Sequence, residues 1–198
     1  SCFITGHDRY NCISNNLFGD SSSTVFLKIF YNSDKKIVVR EINEGTGTVK
    51  GVYTSDNIGD FSNRELKLVR ENSAGNGFFV LKIKNAINKN IIIKTKDLSF
   101  QTEIWNKEIQ VNTITDITFD SFGNIFGCGF TDSNFYGTAQ GREDMIIFKL
   151  RPETGNIWWG KMIGGRYADK AFRLFVDLSF NLWIDFPSNR YTYRLERR

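Results

Sequence analysis

Ile114-Thr-Asp-Ile-Thr-Phe-Asp-Ser-Phe-Gly-Asn-Ile-Phe-Gly-Cys-Gly-Phe-Thr131 is the stretch that decides how this chain folds. Its first six residues alternate apolar and polar side chains, the period of a β-strand with one buried face. Asp120-Ser-Phe-Gly-Asn124 then carries turn chemistry, because Asp folds back on its own backbone while Gly and Asn tolerate positive φ. A second strand follows from Ile125 to Thr131, where Gly127 and Gly129 imply close approach of another backbone. Beyond a polar loop, Asp132 to Asp144, the residues Met145 to Leu150 form a third strand. Arg151-Pro-Glu-Thr-Gly-Asn156 makes the next turn, and Ile157 to Ile163 is the fourth strand. The spacing predicts an antiparallel meander of about 50 residues.

The same cassette recurs outward in both directions. Ile146-Ile-Phe-Lys149 with Ile157-Trp-Trp159 is echoed by Ile91-Ile-Ile-Lys94 with Ile104-Trp105, and more faintly by Val25-Phe-Leu-Lys28 with Ile37-Val-Val-Arg40. The turn Asn72-Ser-Ala-Gly-Asn76 parallels Asp120 to Asn124, and Asp177-Leu-Ser-Phe-Asn181 repeats it downstream. A meander of this size cannot bury both faces alone, so copies must stack. Stacked radially, they make a β-propeller. The expected architecture is all-β: one propeller domain over residues 1–198, built of four-stranded antiparallel blades. The blades are placed at about 1–45, 64–110, 114–165 and 171–198, three and a half to four in all. Thr48 to Thr54 fits the period poorly and is taken as an extra or displaced strand. An open stack exposes apolar faces, which favours an incomplete propeller belonging to a larger seven-bladed ring or assembly.

Composition supports strands and narrows function. Phe (18), Tyr (7) and Trp (4) accompany many β-branched residues with only 2 Pro, a set suited to pleated, half-buried surfaces. Net charge is +4 with scattered basic residues, so the dense basic patch of a nucleic-acid site is lacking; Arg190, Arg194, Arg197 and Arg198 are taken as a solvated end. No run is long and apolar enough to span a membrane. His7 is the only histidine, which argues against a multi-imidazole metal site, and it is assigned to a solvated turn beside Asp8. Asp56-Asn-Ile-Gly-Asp60 has too few acids for a calcium loop and is read as a turn. Cys128 is expected as a small core residue, and a Cys2–Cys12 bridge is left open.

Asp120 to Asn134 resembles the repeat of the bacterial seven-bladed β-propeller (SBBP) family, with Asp-x-x-Gly-Asn, an aromatic strand, a loop, and a Phe-x-x-Lys-Leu-like strand at Ile146 to Leu150. Its Trp and Gly-Gly correspond to Trp158 and to Gly164-Gly165. Phe3-Ile-Thr-Gly6 matches the second strand of a first copy. The resemblance covers Thr115 to Asn189 well and thins over the first 110 residues. It implies a scaffold or contact surface, often in secreted or surface-associated proteins, with no catalytic signature of its own. Leu150 to Trp159 also resembles the Thr-Gly-x-x-x-Trp docking motif of quinoprotein propellers, but only one copy carries it, so no cofactor is expected.

These readings converge on a non-enzymatic module for structure or protein–protein interaction, with a protein partner or second copy covering exposed blade faces. The alternative is a glycan- or ligand-binding propeller, and an enzyme fragment of quinoprotein type ranks third. No catalytic, cofactor or metal residues are assigned. Candidate surface residues are Tyr136, Tyr167 and Trp183, while Trp105, Trp158 and Trp159 are expected to pack between blades.

Overall fold

A computed structural model describes residues 15–20, 23–31, 36–43, 46–55, 67–70, 79–84, 89–97, 99–120, 122–177, 179–185 and 193–195. These form fifteen strands and, among the described residues, no helix. The first sheet comprises β1 (Asn15–Asp20), β2 (Ser23–Tyr31), β3 (Ile37–Asn43) and β4 (Val49–Thr54). The second comprises β5 (Lys67–Arg70), β6 (Phe79–Lys84), β7 (Asn90–Thr95) and β8 (Glu103–Ile109). The third holds β9 (Thr113–Phe119), β10 (Ile125–Thr131), β11 (Asp144–Leu150) and β12 (Ile157–Ile163), and the fourth β13 (Arg173–Val176), β14 (Leu182–Asp185) and β15 (Tyr193–Leu195). Each sheet is a meander in which only sequential strands pair, all antiparallel.

The strands expected in the second, third and fourth sheets lie where the alternation and turns place them. The first sheet differs. Val49–Thr54 is not displaced but pairs with β3 as the outer strand, and Asn15–Asp20 pairs with β2 as the first strand. This sheet therefore runs from 15 to 54 rather than ending at 45. The physical reason is visible in β4: at the sheet edge its residues are exposed or half-buried along both faces, so no hydrophobic alternation marks it. The strand expected at Phe3 to Gly6, the Cys2–Cys12 bridge, His7 and Asp56 to Asp60 lie outside the described residues.

Sheets stack face to face along the chain. The first strands of successive sheets stand side by side: β1 near β5, β5 near β9, β9 near β13. Among the described residues β1 and β13 make no contact of that extent, so the stack stays open. Two apolar clusters fill the spaces around the third sheet. On one side Ile114, Ile117, Ile125, Ile146, Phe148 and Leu150 meet Val80, Ile92, Trp105 and Ile109 of the second sheet. On the other, Phe126, Cys128, Met145 and Ile147 meet Leu174, Leu182 and Ile184 of the fourth. The alternation along β11 thus feeds two interfaces, and every residue of that strand is buried. A Cβ on Gly129 would lie 1.9 Å from the Thr113 carbonyl oxygen, which is the close approach its presence implied.

Trp105 shows how neighbouring sheets lock. It is 6% exposed, and its indole N–H donates to the Pro152 carbonyl at 2.9 Å. Lys94 Nζ donates to the same oxygen at 3.2 Å. Gly155, at φ +69°, turns the β11–β12 connection where a Cβ would meet the Trp105 ring at 2.5 Å. The Thr154-Gly155 pair is therefore accounted for by docking of the preceding sheet's tryptophan. Trp159 packs against the cluster shared with the fourth sheet, whereas Trp158 is half exposed with Lys149 Nζ 4.3 Å from its ring centroid.

Replacing Trp105 by Ala is expected to cost about 3–5 kcal/mol by opening a cavity between sheets. Trp105→Phe keeps most of the packing and loses the indole bond, about 1 kcal/mol plus the smaller ring. Urea unfolding midpoints should rank wild type, Trp105→Phe, Trp105→Ala in falling order.

Candidate interaction surface

The β13–β14 hairpin is closed by Asp177. Its Oδ1 accepts the backbone N–H of Ser179 at 2.9 Å and of Asn181 at 2.8 Å. Its Oδ2 accepts the Asn181 side-chain amide and the Trp183 indole N–H, each at 2.8 Å. Asp120 organises the β9–β10 turn by the same scheme, accepting from Phe122 and Asn124 N–H groups and from the Asn124 amide. Where that turn uses Gly123 at φ 78°, the β13–β14 turn places Phe180 at φ 62°. A non-glycine residue there costs about 1 kcal/mol. The Phe180 ring stacks on Phe122 of the neighbouring hairpin at 4.8 Å between centroids, an offset of similar size.

The turn fixes a register in which Phe175 faces Trp183 and Arg173 faces Asp185. Leu174, Leu182 and Ile184 point into the cluster shared with the third sheet. Alternation then sends Arg173, Phe175, Trp183 and Asp185 to the opposite face. No sheet covers that face among the described residues: Phe175 is 56% exposed, Arg173 and Asp185 are exposed, and Trp183 is half-buried. The Phe175 and Trp183 rings lie 7° from parallel with centroids 6.0 Å apart. Bonded to Asp177, the indole is held in one orientation. The Trp183 indole N–H, with the Asn181 amide and two backbone N–H groups, holds the Asp177 carboxyl at a pKa of about 2, and slight desolvation opposes this.

Tyr136 and Tyr167 lie elsewhere. Both sit on loops of the third sheet at the strand ends away from the Asp120 and Asp177 turns, and these loops meet. Glu143 bridges Ala168, Asp169 N–H donates to the Glu143 carbonyl at 2.6 Å, and Lys170 pairs with the Glu143 carboxylate. Tyr136, at φ 48°, lies edge-on to Phe135 and over Gly160, and Tyr167 is 76% exposed. The structure thus links Tyr136 and Tyr167 by their loops and leaves Trp183 at the turn end. Phe175 was missed as a surface residue; counting outward from the Asp177–Asn181 turn sets it opposite Trp183. Cys128 is a buried core thiol, its Sγ 3.5 Å from the Thr115 hydroxyl. Among the described residues no group of three or more His, Cys, Asp or Glu side chains is placed to hold a metal, and no helix is long and apolar enough to cross a membrane.

No protein-family model matches this sequence, and no curated protein matches it either. Among solved structures it is similar to a GH43 β-xylosidase/α-arabinofuranosidase from a compost microbial metagenome, solved with xylotriose in a calcium-free form. That likeness has a TM-score of 0.52 and 11% identity, over 94% of this chain and 73% of the other. The neighbour is a five-bladed β-propeller. At such identity the likeness speaks for fold alone. With four antiparallel meanders in an open stack, the chain has a propeller-like all-β fold.

Because the folded-state pKa of Asp177 is depressed from 3.8 to about 2, its ionised form stabilises the hairpin above about pH 4, and that contribution fades as pH falls towards 2. Asp177→Asn should lower the urea midpoint most above about pH 4, with the gap to wild type closing on acidification. A gap independent of pH would show that the carboxylate charge is irrelevant to the turn.

Proposed function

We propose that this chain is a non-enzymatic propeller-type module for protein–protein interaction, with the outer face of the fourth sheet as its contact surface. The observation that carries this reading is the stack of exposed Phe175 on half-buried Trp183, on a sheet whose other face packs against the third sheet through Leu174, Leu182 and Ile184. The gap between the second and third sheets and that between the third and fourth are closed by side-chain-to-backbone bonds as well as apolar packing. Asn90 accepts from Ile114 N–H at 3.0 Å, and Asp116 accepts from Leu174 N–H at 2.9 Å. Among the described residues, the fourth sheet's outer face has the apolar part of such an interface without its other half. The four sheets are taken as an arc of a propeller ring, which the repeat suggests has seven blades and the structural neighbour five.

Hydroxyl-radical footprinting tests the reading. Phe175 and Trp183 should be oxidised several-fold more slowly in the native particle than in the isolated chain at high dilution. Equal oxidation in both would sink it.

A second reading, glycan binding, draws on the exposed rings of Tyr136 and Tyr167 and on the xylotriose held by the structural neighbour. Calorimetric titration with xylotriose separates it from the first: saturable heat lost on Tyr167→Ala supports glycan binding, and no heat removes it for this sugar.

A further inference from the structure

The residues flanking the Phe175–Trp183 stack carry opposite charges in a self-complementary arrangement. Arg173 and Asp185 are register partners on β13 and β14, two residues along from Phe175 and Trp183 and on the same face. All four are exposed or half-buried, and the two rings are nearly parallel. They form a two-by-two patch with Arg173 and Phe175 on one strand, Asp185 and Trp183 on the other. A twofold axis running along the strands, midway between β13 and β14, superposes the two columns. Two such faces laid together set Arg173 over Asp185 of the second copy, Asp185 over its Arg173, and Phe175 over its Trp183. An isologous interface needs this property: a patch that complements itself when rotated by half a turn.

We propose that the occupant of this face is a second copy of the chain, packed sheet on sheet about that axis. The proposal rests on the contact-surface reading above and names its partner. A different protein would need only some acid near Arg173 and some base near Asp185. Here one strand pair presents both, side by side, in the order that self-pairing requires. The rings form the apolar centre, and the two reciprocal ion pairs set the register of one copy on the other.

Sedimentation velocity over a concentration series tests this with surface substitutions that leave the inward Leu174, Leu182 and Ile184 untouched. Wild type should show a monomer–dimer equilibrium. Arg173→Asp puts two like-charged pairs into the interface and should weaken association at least about tenfold, as should Asp185→Arg. The double swap, Arg173→Asp with Asp185→Arg, restores both pairs and should recover affinity to within about threefold of wild type. Trp183→Ala should weaken dimerisation without recovery by the swap. A wild-type chain that stays monomeric at high concentration overturns the proposal, and so does a dimer indifferent to all three charge variants. Should the chain be monomeric while footprinting still finds Phe175 and Trp183 covered in the native particle, the second copy is wrong and the contact surface stands.

Discussion

The structure depends on a single constraint: β11 is buried on both faces. Ile146, Phe148 and Leu150 need the second sheet, and Met145 and Ile147 need the fourth. Each such side chain contributes roughly 1.5–3 kcal/mol when removed from water, but only if the neighbouring sheet is present. The third sheet is therefore not a stable object alone, and its neighbours are part of its own core. Stacking of a sheet on either side of the third follows from that requirement. The strand order within each sheet, all neighbours sequential, keeps the pairing local in sequence.

Polar side chains set where the sheets join. At the junction of the second and third sheets, Asn90 accepts from Ile114 N–H and donates to the Val111 carbonyl at 2.6 Å. Between the third and fourth, Thr115 donates to the Ala171 carbonyl at 2.7 Å while Asp116 accepts from Leu174 N–H. Asp116 sits where the β9–β10 register shifts, so the irregularity turns a carboxylate towards the next sheet. Buried groups of this kind are costly unless paired, and here their partners are backbone atoms that only one relative placement of the sheets supplies. Apolar packing makes the sheets adhere, and these bonds fix their register.

The third sheet was legible in the sequence because three independent signals agree there. The alternation in Ile114 to Phe119, the Asp120–Asn124 turn and the glycine-containing β10 all point to one meander. β4 carried none of these signals, since Val49 and Val52 are exposed at a sheet edge and nothing selects an alternation. Trp105 was readable as a packing residue, although its hydrogen bond to Pro152 crosses 47 positions and leaves no local trace. The surface was read least completely. Phe175 has the spacing of a core residue, and sequence alternation is the same whether a face is covered or open. Tyr136 and Tyr167 stood out only as aromatics in polar loops, a pattern that says nothing about whether their loops touch.

Asp177 ties the fold to the surface it presents. One carboxylate closes the β13–β14 hairpin and also holds the Trp183 indole, so the turn that sets the strand register orients the ring that Phe175 stacks on. A tryptophan held at both its face and its N–H loses little rotamer freedom when something packs against it, and the ordering cost has already been met in folding. The same economy explains the Phe180 backbone. Positive φ there is tolerated because the ring reaches Phe122 on the neighbouring hairpin, binding the two turns together at the tip of the exposed sheet. A loose aromatic patch would be an aggregation hazard, whereas a patch braced by its own turn, stack and hydrogen bond is shaped for one partner geometry.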